Sequence, residues 1–565
     1  PAPGVYVLDL GQNMVGWVRM KVRGKAGTRV ALQHAEMLLP DGNIYIDNIR
    51  QNLNGGEQKD VYILRGAPEG EIFEPRFTYH GFRYVEVTGL PERPTPDMFT
   101  GRVLHSSARE TGDLVTSSSF VNRLLDAVRW TERGNLTGLP TDCPQRSERA
   151  GWMADAQIIS QSAMFNMNLA PFYTKWLQDV RDAQGEAGNF SPFAPSPFGP
   201  GGGAGASPGW ADGGLIIPWN AYLNYADRRL LEQHFDAAVR YVEFVHKSNP
   251  DLIWRKNASR GAAFNDWLNA DVVDVPYLPR KGASQPMDIF STAFFANSTE
   301  ILSRMAKVLG RDAESRKYAE LAAQIRAAFC REFLKPDGRI MGQGEPEPAL
   351  STGAGVPVNG DNQTTYALAL HFGLIPGNMR ETAARLMVER IKDYNGRLST
   401  GIHGTYRLLL ELSDAGYTDL AYKLLDNRDV PSWRYMLDHG ATTIWERWDG
   451  FVEGRGFQTP YMNSFNHCAF GAVAEWIWRV AGGLNPDPES PGYKHFLVRP
   501  RPGGGLTWAK ATYDSIRGRI ISHWSIEGGR FTLRVTVPPN TTATVVMPKG
   551  EKHEIGSGEY TFSER

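Results

Sequence analysis

Short apolar runs broken by Gly and Asn open the chain: Val5 to Leu10, Val18 to Val22 and Arg29 to His34. Asp60 to Leu64 and Tyr84 to Val87 follow, with turn signals such as Leu39-Pro-Asp-Gly between them. Many short strands at this spacing predict a β-sandwich reaching to about Thr116. At Phe120 the period changes. Phe120, Leu124, Leu125 and Val128 recur at the spacing of one apolar helix face. Similar segments follow at roughly one per thirty residues, the clearest being Glu148 to Phe165, Arg229 to Lys247, Phe290 to Leu309, Ala313 to Phe333 and Phe465 to Ala481. Twelve helices in six hairpins make a toroidal (α/α)6 barrel. A helical solenoid would use the same count, but no fixed-period repeat accompanies it. Ser191 to Gly209 is a long Gly/Pro/Ser stretch, and loops of that length in compact domains tend to be functional or disordered. Beyond a turn-rich linker at Asn485 to Gly492, the segments Arg519 to Ile526, Arg530 to Val537 and Thr541 to Met547 predict a small C-terminal sandwich. The predicted fold class is multidomain α and β: an (α/α)6 helical barrel domain, 118–484, flanked by N-terminal (1–117) and C-terminal (485–565) β-sandwich domains.

Composition narrows the partners. At 565 residues the chain exceeds one hydrophobic core, and its formal net charge of −1 offers no basic surface for a phosphate backbone. Neither nucleic acid nor a membrane is expected as a partner, and no run approaches the roughly 18 apolar residues of a spanning helix. Three cysteines, Cys143, Cys330 and Cys468, make neither a disulfide framework nor a C-x-x-C pair, so no structural metal is expected. That count favours a reducing compartment such as the cytoplasm, with periplasmic or secreted locations left open. The chain opens at Pro1 without a recognisable signal peptide, and an upstream piece is expected to be missing. Its 15 Trp and 21 Tyr suit the C–H faces of sugars, and they are equally ordinary core material.

Two clusters could carry chemistry. In Thr141-Asp-Cys-Pro-Gln-Arg-Ser-Glu-Arg-Ala-Gly-Trp-Met-Ala-Asp155 the pairing of Asp142 with Pro144 predicts a helix start. Glu148, Trp152 and Asp155 then fall at i, i+4 and i+7 on one face. Asp142 as a cap and Glu148 as a surface charge is the competing reading. In Ala441-Thr-Thr-Ile-Trp-Glu-Arg-Trp-Asp-Gly450 a carboxylate, Glu446, lies between Trp445 and Trp448 beside Arg447. Burial would raise its proton affinity and the arginine would lower it, whereas a Glu446–Arg447 surface pair is the alternative. His467 could equally be a core histidine, and Asp266-Trp267 could be a sugar-stacking loop or a turn. No H-E-x-x-H, Walker or dinucleotide fingerprint is present. Paired carboxylates with aromatic rings on a helical barrel point to hydrolysis of a glycosidic bond.

The run Asp142-Cys-Pro-Gln-Arg-x-Glu-Arg-x-Gly-Trp resembles the catalytic signature of bacterial α-L-rhamnosidases, glycoside hydrolase family 78. So do Gly440-Ala-Thr-Thr-Ile-Trp-Glu-Arg-Trp-Asp-Gly and Met462-Asn-Ser-Phe-Asn-His. Asp9-Leu-Gly-Gln-Asn-Met-Val-Gly-Trp, Phe77-Thr-Tyr-His-Gly-Phe-Arg-Tyr, Pro431-Ser-Trp-x-Tyr-Met and Pro491-Gly-Tyr-Lys extend the likeness along the whole chain. The resemblance implies removal of terminal α-L-rhamnose from small-molecule glycosides or oligosaccharides with inversion, without a cofactor, and leaves a homo-oligomer possible in principle. It implies Glu148 as general acid and Glu446 as general base. Asp142, Arg146 and Asp155 are implied as ligands of the sugar hydroxyls beside His467, with Trp152, Trp210 and Trp267 as aromatic walls. Asp266 and Trp445 complete the candidate substrate-binding set. Charge on Asp142 and Asp155 would favour a protonated Glu148. The sequence departs from the family pattern at Ala154 and Asn265, where glycine is common. Two other classes compete: a fucosidase-like or trehalase-like hydrolase on the same barrel, and a non-catalytic carbohydrate-binding protein.

Overall fold

The computed structural model describes residues 2–50, 57–203, 205–256, 264–273, 275–350 and 353–565. The chain divides into two compact units. One comprises 1–107, 126–150 and 436–468, and the other 108–125, 151–435 and 469–565.

The first unit is built on a six-stranded antiparallel sheet. Its order is Lys59–Ile63, Arg29–Ala35, His80–Thr88, Val5–Val22 and Glu71–Phe73, with Phe99–Val103 also on Val5–Val22. The two strands expected between Val5 and Val22 are one strand of 18 residues. Its register on His80–Thr88 shifts between Asp9 and Met14, where Gly11 takes a φ of 79° and donates its N–H to the Asp9 carboxylate. The irregularity lets one strand serve different partners along its length, and locally it looks like a strand end. Alternate residues Val18, Met20 and Val22, with Val30, Leu32, Val85 and Val87, form the core on one face of the sheet.

The second unit carries helical hairpins. Met153–Asn166 turns into Ala170–Asp182, Gly213–Tyr225 into Arg228–Ser248, and Met287–Leu309 into Asp312–Phe333. Gln363–His371 then leads to Arg380–Asp393, and Thr405–Asp414 to Thr418–Leu425. First members are buried nearly all round: every residue of Met153–Asn166 is buried, as are 405–413. Second members bury one stripe, as Leu230, His234, Ala237, Tyr241 and Val245 do in Arg228–Ser248. That division into enclosed and amphipathic helices is the sequence signature of two helical layers. The turn Gly310, at φ 74°, closes one hairpin in a conformation that suits glycine.

Four expectations need correction. The helix expected from Glu148 begins only at Met153. The helix expected from Phe465 is instead a 3-10 turn at Ala469–Ala472, an α-turn at Val473–Trp476 and a π-turn at Ile477–Ala481. Residues 465–468 cannot join it, because the N–H groups of Phe465 and His467 are committed to Glu36 and to the Ile444 carbonyl. Gly112–Thr116, expected to end the N-terminal sheet, is the edge strand of a C-terminal five-stranded sheet, paired with Trp508–Ser515. Alternation identifies a strand but not its partner. Likewise Leu484–Pro486, within the supposed linker, pairs with His495–Val498 in a second, four-stranded sheet. Among the described residues no helix is long and apolar enough to cross a membrane.

Candidate active site

Residues 142–150 form a closed loop in the first unit. The Asp142 N–H donates to the Ala150 carbonyl at 3.0 Å, and the Ala150 N–H returns a bond to Asp142 Oδ1 at 2.8 Å. This is why no helix starts here. The Asp142 carboxylate is spent on Ala150 rather than on a first helical turn, and Arg149 takes the left-handed φ of 44°. The stripe of Glu148, Trp152 and Asp155 therefore does not form as a helix face. Glu148 is presented by the loop, and Asp155 lies in the first turn of the following helix.

The loop turns Glu148 back onto Arg146. Arg146 Nε and Nη2 both donate to Glu148 Oε2, at 3.0 and 2.9 Å, and Nη2 also lies 3.6 Å from Glu446 Oε2. One guanidinium thus holds both carboxylates that the sequence singles out. Arg146 is 1% exposed. Against the desolvation that opposes it, Cys143, Glu446, Glu148 and Asp142 keep this guanidinium firmly charged. The Glu148 side chain is 33% exposed and that of Glu446 3%, so one carboxylate reaches solvent and the other is enclosed.

Glu446 is fixed by its backbone, whose N–H donates to the Ser464 carbonyl at 2.9 Å. Its neighbours are not as the sequence suggests. Arg447 pairs with Asp449 through two bonds of 2.8 and 2.9 Å, both residues buried, so Arg146 and not Arg447 is the cation of Glu446. Trp445 and Trp448 are fully buried, and Trp445 sets its edge on Phe465 at 5.2 Å. Trp445 therefore wedges Glu446 in place and offers no face to a ligand. Two buried polar atoms, Arg146 Nη1 and Glu446 Oε2, have no hydrogen-bond partner. Unsatisfied groups of this kind mark a site that a ligand or water completes.

Burial raises the proton affinity of Asp142, the charge of Glu148 adds to this, and Arg146 and His467 oppose it. Cys143, also held protonated by burial, donates its thiol to Asp142 Oδ2 at 2.9 Å. Asp142, Cys143 and Glu148 could together hold a cation, but Arg146 already brings one to Glu148.

Glu36 escaped the sequence reading. It is buried beneath the Glu446 segment, with Asn13 donating to its Oε1 and Asn48 and the Phe465 N–H donating to its Oε2. The available signal was Asn13, a polar residue inside an apolar strand. Burial pushes Glu36 up to about 7 against those bonds and the Arg146 charge. The folded value lies above the unfolded one, so its stabilising contribution is complete at acid pH and is lost as pH rises towards 7. Between pH 4.5 and 7.5 this group should remove about 3 kcal/mol of stability. Glu36→Gln should flatten that part of the curve relative to the wild type. It should also cost about 1–3 kcal/mol throughout, since an amide nitrogen then faces donors. Denaturant unfolding across this pH range measures both effects.

In the second unit the aromatic candidates converge on Phe264, another residue not singled out. Trp152, Trp210 and Trp267 lie 5.8, 4.8 and 5.9 Å from it, ring to ring. His403, likewise missed, packs on Trp210 at 5.0 Å with neither ring nitrogen hydrogen-bonded, and burial keeps it neutral. Asp266 is wholly buried and is fully engaged as an anchor. It accepts from Thr364 Oγ1 and from the N–H groups of Gly401, His403 and Gly404. That side chain ties the Trp267 loop to the 401–404 turn and has no free oxygen to offer a sugar. Asn265 has a φ of 56°, which explains the departure from glycine, because Asn is among the side chains that tolerate the left-handed region.

The model for the bacterial α-L-rhamnosidase six-hairpin glycosidase domain matches residues 109–481. Models for the concanavalin-like and C-terminal domains of the same proteins match 1–105 and 483–562. An α-L-rhamnosidase of Streptomyces avermitilis is 42% identical over 562 residues, covering 100% of this chain and 50% of that protein. One from Formosa agariphila is 37% identical, covering 99% and 56%. The crystal structure of a Streptomyces avermitilis α-L-rhamnosidase complexed with L-rhamnose superposes with a TM-score of 0.89 at 40% identity, covering 100% of this chain and 52% of that one. The chain thus spans about half the length of the curated relatives it matches. With the two glutamates joined through Arg146 and all three matched segments in order, the chain belongs to the bacterial α-L-rhamnosidase family.

Proposed function

We propose that this chain is the catalytic part of an α-L-rhamnosidase, releasing terminal non-reducing L-rhamnose from glycosides or oligosaccharides by inverting hydrolysis. The observation that carries the reading is the shared guanidinium, which places a solvent-reaching and an enclosed carboxylate on one site. In this reading Glu148 is the general acid: its exposure suits delivery of a proton to the leaving oxygen. Glu446 is the general base, its Oε2 left without a hydrogen-bond partner and so able to draw a proton from the attacking water. Arg146 orients both. Asp142, with its raised proton affinity, and His467 hydrogen-bond the sugar hydroxyls, and Asp155 does the same. Trp152, Trp210 and Trp267 act as aromatic walls, with the 6-deoxy methyl group as the apolar element they recognise. Asp266 and Trp445 serve as supports. The domain division proposed is 1–117, 118–484 and 485–565, with Gly112–Thr116 and Leu484–Pro486 lending strands to the C-terminal sheets.

Both Oε2 atoms lie on one nitrogen, at 2.9 and 3.6 Å, so they are at most about 6.5 Å apart, a bound that takes in the roughly 5–5.5 Å of retaining enzymes and only touches the roughly 6.5–9.5 Å of inverting ones. The product anomer is therefore the discriminating measurement. Proton NMR at early times on p-nitrophenyl α-L-rhamnoside should show β-L-rhamnose first, with fucosides and mannosides as the comparison substrates. First appearance of α-L-rhamnose would remove Glu446 from the base role. Turnover of a fucoside or mannoside in preference would reject the substrate assignment.

A further inference from the structure

We propose that a cavity among the helical hairpins, sharing no residue with the candidate active site, binds a small carboxylated sugar. Every residue of its lining belongs to the second unit. It encloses about 370 Å³, within the roughly 300–1,000 Å³ of small-molecule sites.

The charges on its wall do not balance. Arg304, Arg326, Arg407 and Arg479 face Glu300 and Glu475, an excess of two positive charges. Glu300 accepts from Arg304 Nε at 3.0 Å and from Arg326 Nη2 at 2.9 Å, and Glu475 accepts from Arg479 Nη1 at 2.8 Å. His371, also on the wall, is engaged with Glu411 at 3.0 Å. Arg407 is left over. It is 2% exposed, and its one hydrogen bond runs from Nη1 to the His403 carbonyl at 2.8 Å. Among the described residues it forms no ion pair, and its Nε is enclosed without an acceptor. The rings of Tyr406, Phe372 and Phe294 lie 4.6, 5.2 and 5.8 Å from the guanidinium, which shields the charge without neutralising it. Arg407 also sits in the first turn of Thr405–Asp414, where the positive end of the helix dipole opposes a cation. A buried guanidinium with no counter-charge is costly. A carboxylate in the cavity supplies that charge and matches the planar fork.

Other groups on the wall ask for more than an anion. The Trp219 indole N–H, the Tyr406 hydroxyl and the Asn297 amide make no hydrogen bond among the described residues. Asn220 spends only its Nδ2, on Ser160 Oγ at 2.9 Å. Unspent donors and acceptors beside two aromatic rings suit a ring that carries hydroxyls and apolar C–H faces. An inorganic oxyanion would use Arg407 and leave the rest of this wall unmet.

The test titrates the full chain with D-glucuronate and reads binding by saturation-transfer NMR. One saturable site is expected. D-Glucose and inorganic phosphate should each bind at least about tenfold more weakly, since each lacks one half of the recognition. Arg407→Gln should weaken glucuronate binding by about 10–100-fold. Asn297→Leu, at a partly exposed position on the wall, should weaken it by about 2–10-fold, and it decides the case if circular dichroism shows Arg407→Gln unfolded. Saturating L-rhamnose should leave the glucuronate affinity unchanged. Because binding and not turnover is read, the outcome stands apart from the rhamnosidase reading. No glucuronate binding, glucose or phosphate binding as tight as glucuronate, unchanged affinity in a folded variant, or displacement by L-rhamnose overturns the proposal.

Discussion

Glu148→Gln lowers turnover of a rhamnoside with a poor leaving group by about 10²–10⁴, and that of p-nitrophenyl rhamnoside by far less. The asymmetry is the informative part. A protonated carboxyl helps only to the extent that the leaving oxygen needs a proton, and p-nitrophenolate departs without one. The amide keeps the size of the side chain, so Arg146 Nε and Nη2, now 3.0 and 2.9 Å from Oε2, retain an oxygen partner. What is lost is the transferable proton and half of an ion pair. Steady-state kinetics on matched pairs of substrates measure it. Equal losses on good and poor leaving groups would take Glu148 out of the acid role.

Arg146→Met has the second large effect, and it is felt in stability as well as in rate. The guanidinium faces Glu148 and Glu446, with Asp142 close by. Its removal leaves carboxyls in a place where Glu446 and Asp142 are each about 3% exposed. Breaking a buried ion pair from one side costs about 3–5 kcal/mol, because the partner stays behind uncompensated. The penalty grows with pH, since each orphaned carboxyl escapes it only by holding a proton. Denaturant unfolding at pH 5 and pH 8 should therefore show a larger deficit at pH 8. Arg146→Lys separates charge from geometry. A single ammonium recovers part of the stability but cannot span two carboxylates with a planar fork, so rate recovers less than stability. A deficit independent of pH would mean that the cation does not balance these groups.

Much of the site was legible because it lies in two contiguous motifs. Asp142, Arg146 and Glu148 fall within seven residues, and Glu446 stands out by its paired tryptophans. The helix reading of that first motif failed for a local reason: capping residues suggest a helix start, but Asp142 spends its oxygen on Ala150, eight residues on. Charge pairing was misread in the same way. Arg447 is adjacent to Glu446 in sequence, yet it turns to Asp449, and which of two arginines faces a carboxylate is decided by packing. Glu36, Phe264 and His403 were out of reach because each acts through partners far away in the chain. Glu36 works through Phe465, and His403 through Trp210. The helical hairpins were the most readable part of the fold, since their periodicity is long and repeated, whereas strand partnership carries no local signal.

The pairing of Gly112–Thr116 with Trp508–Ser515 sets an order of events in synthesis. The ribosome delivers the first strand almost four hundred residues before the second. Throughout that interval the segment leading into the first helix has a bare edge, an open template for pairing with another nascent chain. A truncation that removes the late sheet to obtain a smaller catalyst would make this transient exposure permanent. A strand made late is the cover for one made long before it.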